Sequence, residues 1–237
     1  MKTLKNKVVY ITGGTKGIGY GVAKTLLNAG MRVAISGRNL KIAENAAAAL
    51  GHNDYILAIE SDVVSLNDEK NAIAKIIEKW GQLDVVLANA GVGIFAPIDE
   101  LSETDWSAMI DTNLTGAFHS LKASVEALKR SKGYYITMAS LAGTNFFAQA
   151  GGYNASKFGL VGFTQAAMLD LRPHGIKVST IMPGSVATFF NDHIPNEKDA
   201  WKIQPEDIGK LVLDLLTMHP RTLPSKIEVR PSRPDLK

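Results

Sequence analysis

Short apolar runs rich in β-branched residues alternate along this chain with longer segments whose apolar residues recur at helical spacing. The runs are KVVYIT, RVAIS, DYILAIE, LDVVLA, YYITMA, IKVSTIM and KIEVR, and each predicts a strand. Between most of them lie amphipathic segments such as DEKNAIAKIIEKW, Asp68 to Trp80. Ser102-Glu103-Thr104-Asp105 is a capping box with Asp in place of Glu, and predicts a helix of roughly two dozen residues after it. Asn28-Ala29-Gly30 and Lys79-Trp80-Gly81 read as helix ends stopped by glycine. Strand–helix alternation implies right-handed crossovers and a parallel sheet buried on both faces. There is no Pro/Gly/Ser-rich linker and no repeat. One domain over residues 1–237 is therefore expected, with a tail at 231–237 kept extended or frayed by Pro231 and Pro234.

Composition narrows the function classes. The chain has 237 residues, 46% hydrophobic and 21% charged, which is globular composition. A net charge of +3, spread along the chain, gives nucleic-acid binding no support. Without cysteine there are no disulfides, thiolate nucleophiles or zinc–thiolate sites. The start, MKTLKNKVVYI, has an apolar run too short for a signal-peptide core, and no run approaches the ~18 residues of a membrane span. A soluble, cytoplasmic protein with no membrane partner is expected. The histidines at 52, 119, 174, 193 and 219 have no metal-ligand spacing, so no metal site is expected.

The first strand runs into TGGTKGIG, Thr12 to Gly19, and a helical pattern follows at once. Gly13, Gly17 and Gly19 allow a tight turn and close approach to a ligand, and the helix N-terminus then presents free N–H groups to it. Strand before and helix after are the context that makes such a motif a pyrophosphate site. At the end of the second strand, where dinucleotide folds carry an acid for the ribose 2′-hydroxyl, this chain has Ser36 and then Arg38. Arg38 can grip a 2′-phosphate with its fork of donors, and Lys16 adds a second cation. NADP(H) is the expected cofactor.

YNASK, Tyr153 to Lys157, places a phenol and an ammonium one helical turn apart. A fixed cation favours the phenolate and would prepare the tyrosine for proton transfer. Alone, the pair is equally an ordinary surface pair.

With TGGTKGIG, Asp62-Val63, ANAG at 88–91, Asn113, Ser140, YNASK and PGSVAT at 183–188 in order, the chain resembles the short-chain dehydrogenase/reductase family from Lys7 to about Arg230. The resemblance implies a Rossmann-type doubly wound α/β sheet of about seven parallel strands with helices on both faces. It implies catalysis by Asn113, Ser140, Tyr153 and Lys157. Ser140 would bond the substrate oxygen and Tyr153 exchange the proton. Lys157 would lower the tyrosine pKa and bind the nicotinamide ribose, and Asn113 would hold a relay water. Cofactor contacts would come from Gly13, Thr15, Lys16, Gly17, Ile18 and Gly19, from Arg38, and from Asp62 and Val63 at the adenine. Asn89, Ala90, Gly91 and Val92, and then Pro183, Gly184, Val186 and Thr188, would complete them. The family usually has a second asparagine where this chain has Ala88.

The implied reaction is NADPH-dependent reduction of a ketone, or the reverse oxidation of a secondary alcohol. Reduction of a 3-oxoacyl thioester is the alternative, and an NADP-sensing binding protein the non-enzymatic one. The C-terminal SKIEVRPSRPDLK, where many relatives carry a glycine-rich segment, weighs against the thioester reading. A short lid at 189–203 implies a fairly open mouth. Phe146, Phe147, Phe189 and Phe190 are candidates for an apolar substrate pocket or for ordinary packing. Family members assemble through the helices near 102–130 and 152–171, so a homodimer or homotetramer is expected.

Overall fold

The computed structural model describes residues 4–52 and 54–233. Every apolar run becomes a strand. They are β1 (Val8–Ile11), β2 (Arg32–Gly37), β3 (Ile56–Glu60), β4 (Val85–Ala88), β5 (Tyr134–Met138), β6 (Lys177–Pro183) and β7 (Lys226–Val229). They form one parallel sheet in the order β3-β2-β1-β4-β5-β6-β7. The helices are α1 (Gly17–Asn28), α2 (Leu40–Leu50), α3 (Leu66–Trp80), α4 (Glu103–Ile110), α5 (Gly116–Ser131), α6 (Gly151–Leu171) and α7 (Pro205–Thr217).

Side chains of a strand point alternately to its two faces, so a strand covered on both sides is apolar throughout. In β1, Val9 and Ile11 join Val33, Ile35, Leu26 of α1 and Ile208 and Val212 of α7. Val8 and Tyr10 join the opposite layer with Ile73 and Ile76 of α3, Leu128 of α5 and Leu160 of α6. Each fully buried aliphatic side chain contributes about 1.5–3 kcal/mol, so two such layers hold the sheet rigid.

Helix ends follow local chemistry. Ser65 and Ser102 accept the backbone N–H of Asp68 (3.2 Å) and Asp105 (3.0 Å). Gly81 stops α3 in the left-handed region at φ +74°. At Ser102 the Asp105 carboxylate takes the serine hydroxyl at 2.6 Å. Helical structure then continues over 103–131, longer than the sequence predicts. It is interrupted by a π-helical turn at Asp111–Thr115. Of the expected tail, 231–233 form no helix and 234–237 lie outside the described residues, as do 1–3 of the expected leaderless start.

The chain leaves β1 for β2 and β3 on one side, then returns to β4 on the other. The strand order reverses between β1 and β4, and in sheets of this kind the carboxyl ends of the strands at that point are the usual ligand site.

Candidate active site

Thr12, buried at the end of β1, builds one wall of this site. Its hydroxyl oxygen accepts the N–H groups of Asn89 and Ala90, both at 3.0 Å. The Asn89 amide returns bonds to the carbonyls of Thr12 (2.9 Å) and Gly13 (3.0 Å). The loops after β1 and β4 are thus tied across the point where the strand order reverses. Gly13 has φ +62°, and a Cβ there would lie 2.9 Å from Ala90 Cα. Lys16 precedes α1 without a side-chain cap, so the first N–H groups of the helix are left for another acceptor. Thr15 sits against the end of β2, where a Cβ on Gly37 would lie 2.9 Å from its methyl carbon. Ile18 is half-buried and Gly19 buried. A backbone pressed this close, with an uncapped helix start, fits a pyrophosphate.

Lys16 and Arg38 are both exposed, in the glycine-rich turn and just past β2. Ser36 lies inside the fold. It is buried, with its hydroxyl oxygen 3.0 Å from that of Tyr10. Past β3, the Asp62 carboxylate accepts the Val64 N–H (3.1 Å), and Val63 is buried against α5 at Gly116.

The four residues expected to carry chemistry come from three segments and are brought together at the carboxyl end of the sheet. Asn113 projects from the π-helical turn, a local distortion frequent at functional sites. Its amide oxygen accepts the Val92 N–H at 2.8 Å. Its nitrogen donates to the Val92 carbonyl (2.8 Å) and the Ser156 hydroxyl (2.9 Å). The bonds of Asn113 thus fix the loop after β4 to α6. Ser140 follows β5, and its hydroxyl accepts the Ala142 N–H at 3.1 Å. Tyr153 and Lys157 lie on α6, both buried, with the ammonium 5.7 Å from the tyrosine ring centre. Lys157 Nζ donates to the Met138 carbonyl at 3.0 Å. A Cβ on Gly91 would lie 3.2 Å from Asn113 Oδ1 and 3.5 Å from Lys157 Nζ, so the three positions adjoin.

The ionisation of the pair differs from the sequence expectation. The Tyr153 phenol is raised above its ordinary value, because burial outweighs the lowering effect of the Ser140 hydroxyl. Burial pushes Lys157 down to about 8. Both charged forms lose water on entering the wall. In this state desolvation dominates, and the expected lowering of the phenol by Lys157 is not seen.

The loop after β6 completes the site. Pro183 ends the strand, and Gly184 donates to the Val229 carbonyl at 2.8 Å. Val186 bridges Ile203, and Thr188 lies near Gly17, where a Cβ would be 3.4 Å from its own Cβ. The lid that follows is short, but the mouth is not open. Phe190 folds back onto Tyr153, ring centres 5.6 Å apart, because apolar ring surface is buried there. Phe147 is also brought in, through Phe95, which itself packs edge-on against Tyr153 at 5.5 Å. All four rings keep solvent-exposed surface: Phe146 86%, Phe147 53%, Phe189 46% and Phe190 37%.

Sequence reasoning missed Thr12, Phe95, Asn154 and Ser156. Asn154 donates to the carbonyls of Ala142 (2.7 Å) and Asn145 (2.8 Å), holding the loop after β5 against α6. Asn154 and Ser156 lie inside YNASK, and Thr12 inside TGGTKGIG, so the signal was adjacency to residues already chosen. No signal marked Phe95.

A model of the short chain dehydrogenase family matches residues 7–199. The chain belongs to that family. It is therefore an oxidoreductase of the short chain dehydrogenase type, and such enzymes use nicotinamide coenzymes. It is 31% identical over 232 residues to an "uncharacterized oxidoreductase" of Staphylococcus aureus, covering 98% of this chain and 100% of the relative. Among solved structures it is similar to an alcohol dehydrogenase from the archaeon Thermococcus sibiricus complexed with 5-hydroxy-NADP. The TM-score is 0.90 at 28% identity, covering 98% of this chain and 100% of the other. A metagenomic short-chain oxidoreductase in complex with NADP gives a TM-score of 0.84 at 29% identity, with 98% and 100% covered. Among the described residues, no helix is long and apolar enough to cross a membrane. Among the same described residues, no group of three or more His, Cys, Asp or Glu could hold a metal ion.

Proposed function

We propose that this short chain dehydrogenase interconverts a ketone and a secondary alcohol with NADP(H). The observation that carries the reading is the meeting of Ser140, Tyr153 and Lys157, in a sheet whose first helix, α1, starts without a side-chain cap. The turn from Gly13 to Gly19 would hold the pyrophosphate, and Asp62 and Val63 the adenine. Asn89 to Val92, with Pro183, Gly184, Val186 and Thr188, would flank the nicotinamide half, which supplies or accepts the hydride when bound. Ser140 and Tyr153 would hold the substrate oxygen by hydrogen bonds. Donors fixed there stabilise charge that develops as the carbonyl is reduced. Tyr153, kept protonated by burial, gives its proton to that oxygen. Lys157 steadies the phenolate that results, and Asn113 orders the relay that restores the proton.

Changing Tyr153→Phe removes the proton donor and little else. Turnover is expected to fall about 10²–10⁴-fold while NADPH still binds, as followed by coenzyme fluorescence. Wild-type-like turnover in this variant would remove Tyr153 from the mechanism.

The NADPH preference is supported by the two exposed cations, Lys16 and Arg38, and by the absence of an acid after β2. Arg38→Asp is expected to cut the NADPH-over-NADH ratio of kcat/KM by about 10–100-fold, the worth of one charge-assisted contact. Equal efficiency of wild type with both coenzymes would refute the preference. The proposed protein works in the cytoplasm as a homo-oligomer, and its partner is a small carbonyl or alcohol.

A further inference from the structure

Three segments form the mouth around Tyr153, at residues 91–98, 140–153 and 183–191. They read GVGIFAPI, SLAGTNFFAQAGGY and PGSVATFFN and contain no charged residue. Within the mouth, Phe95 meets the Tyr153 ring edge-on at 65°, and Phe190 meets it at 52°. Phe147 backs Phe95 at 6.0 Å. At the edge of the mouth Phe146 is 86% exposed, and Ile98, 75% exposed, lies against Gly151 with the charged Asp99 and Glu100 just beyond it. The cation that adjoins Tyr153, Lys157, is buried and bonded to the Met138 carbonyl, so it is not presented to a substrate anion.

Phe190 has a made seat. A Cβ on Gly93 would lie 2.3 Å from its Cζ, so the ring can occupy this place only because residue 93 has no side chain. The lid holds the ring there from a closed base. Ala187 donates to the Ile203 carbonyl (2.9 Å), and Ile203 donates back to Ser185 (3.1 Å).

We infer that Phe95, Phe147 and Phe190 form an aromatic clasp that selects flat, uncharged ketones, aryl ketones above all, and rejects oxo acids. This rests on the ketone reading proposed above. Offset and edge-on ring contacts favour an aryl group beyond its apolar area alone, while a carboxylate would lose water without gaining a partner. The step is unchanged by the clasp. Bound reduced nicotinamide would supply the hydride for the carbonyl carbon, ending oxidised, and Tyr153 would give the proton to the oxygen.

The test compares kcat/KM for an aryl methyl ketone and for a 2-oxo acid of similar size in wild type, Phe190→Ala, Phe147→Ala and Gly93→Val. NADPH titration of each variant runs alongside. Wild type is expected to favour the aryl ketone by at least about 100-fold, since burying an unpaired carboxylate is costly. Each variant is expected to lower that ratio by about tenfold, chiefly through the KM of the aryl ketone, with NADPH affinity retained. Comparable use of both substrates by wild type, or ratios unmoved in all three variants, would overturn the clasp and leave the ketone reading standing. Absence of turnover on every carbonyl with either coenzyme would overturn both. Gly93→Val reaches the same ring without touching it, so agreement with Phe190→Ala distinguishes the seat from general loss of packing.

Discussion

Glu69 lies on the buried face of α3 and receives two hydroxyls on one carboxyl oxygen, from Tyr10 at 2.8 Å and Ser61 at 2.7 Å. Its other oxygen is buried with no hydrogen-bond partner. Burial raises its pKa against the lowering effect of the two hydroxyls and of His119. A carboxyl whose folded pKa lies above its unfolded value takes up a proton on folding. Stability is therefore full below the unfolded value, 4.5, and falls as pH rises through the folded one. Glu69→Gln keeps the shape and removes the ionisation. It is expected to melt at least about 2 °C above wild type at pH 8, with the gap closing near pH 4. A variant that melts lower at pH 8 would show that the carboxylate is charged and stabilising. Glu69 was legible in one respect, since with Ala72, Ile73 and Ile76 it completes the buried stripe of α3 at helical spacing. Its charge disguised it among the solvated residues of DEKNAIAKIIEKW. The pKa of Tyr153 was less legible still. Spacing on a helix gives the neighbour, Lys157, but the depth of burial that raises the phenol is a property of the folded wall.

At the scale of elements, the seven strands could be read because burial on both faces leaves each as a β-branched apolar run. The π-helical turn that aims Asn113 could not, because DTNLTG follows the helical pattern on either side and the extra residue shows only in backbone bonding. The lid lay between. Its limits were visible, but its closed form depends on contacts across it. Asp199, buried, bonds Lys202 Nζ and His193 Nε2, both at 2.6 Å, and accepts the Asn196 N–H at 3.0 Å. The bonds from Lys202 and His193 hold its carboxyl well below the usual range. This one side chain ties both halves of the lid, while the Val186–Ile203 bridge closes only the base. Asp199→Ala is therefore expected to free the lid without melting the sheet. Trypsin should cut after Lys198 or Lys202 severalfold faster than in wild type, with the melting temperature shifted by only a few degrees, because lids open locally below the global stability. Unchanged cleavage would mean that the backbone bridge alone holds the lid.

For the whole molecule, the candidate site accounts for one end of the sheet, and a second feature lies along the helices that cover it. Trp106 of α4, Phe118 of α5 and Phe158 and Leu169 of α6 are exposed by 41%, 45%, 43% and 59%. Phe118 meets Phe163 of α6 edge-on at 6.3 Å, so α5 and α6 present their aromatic residues side by side. Beside them a Cβ on Gly162 would meet nothing within 4 Å, leaving room for another backbone to approach. Isolated exposed apolar residues are ordinary, but rings and a leucine shared by neighbouring helices are what an association surface would present. A second copy of this chain is the proposed occupant. The arrangement also has a consequence for catalysis, since α6 carries Tyr153 and Lys157 on its buried side and Phe158 on its exposed one. Covering the exposed side would brace the helix that positions both groups. Light scattering on the purified protein is expected to give a multiple of 25.5 kDa at micromolar concentration. Phe158→Glu places a charge in the contact and is expected to shift the mass toward one chain, with loss of turnover following the loss of assembly as protein is diluted. A wild type with the mass of one chain, fully active, would show that α6 needs no such brace.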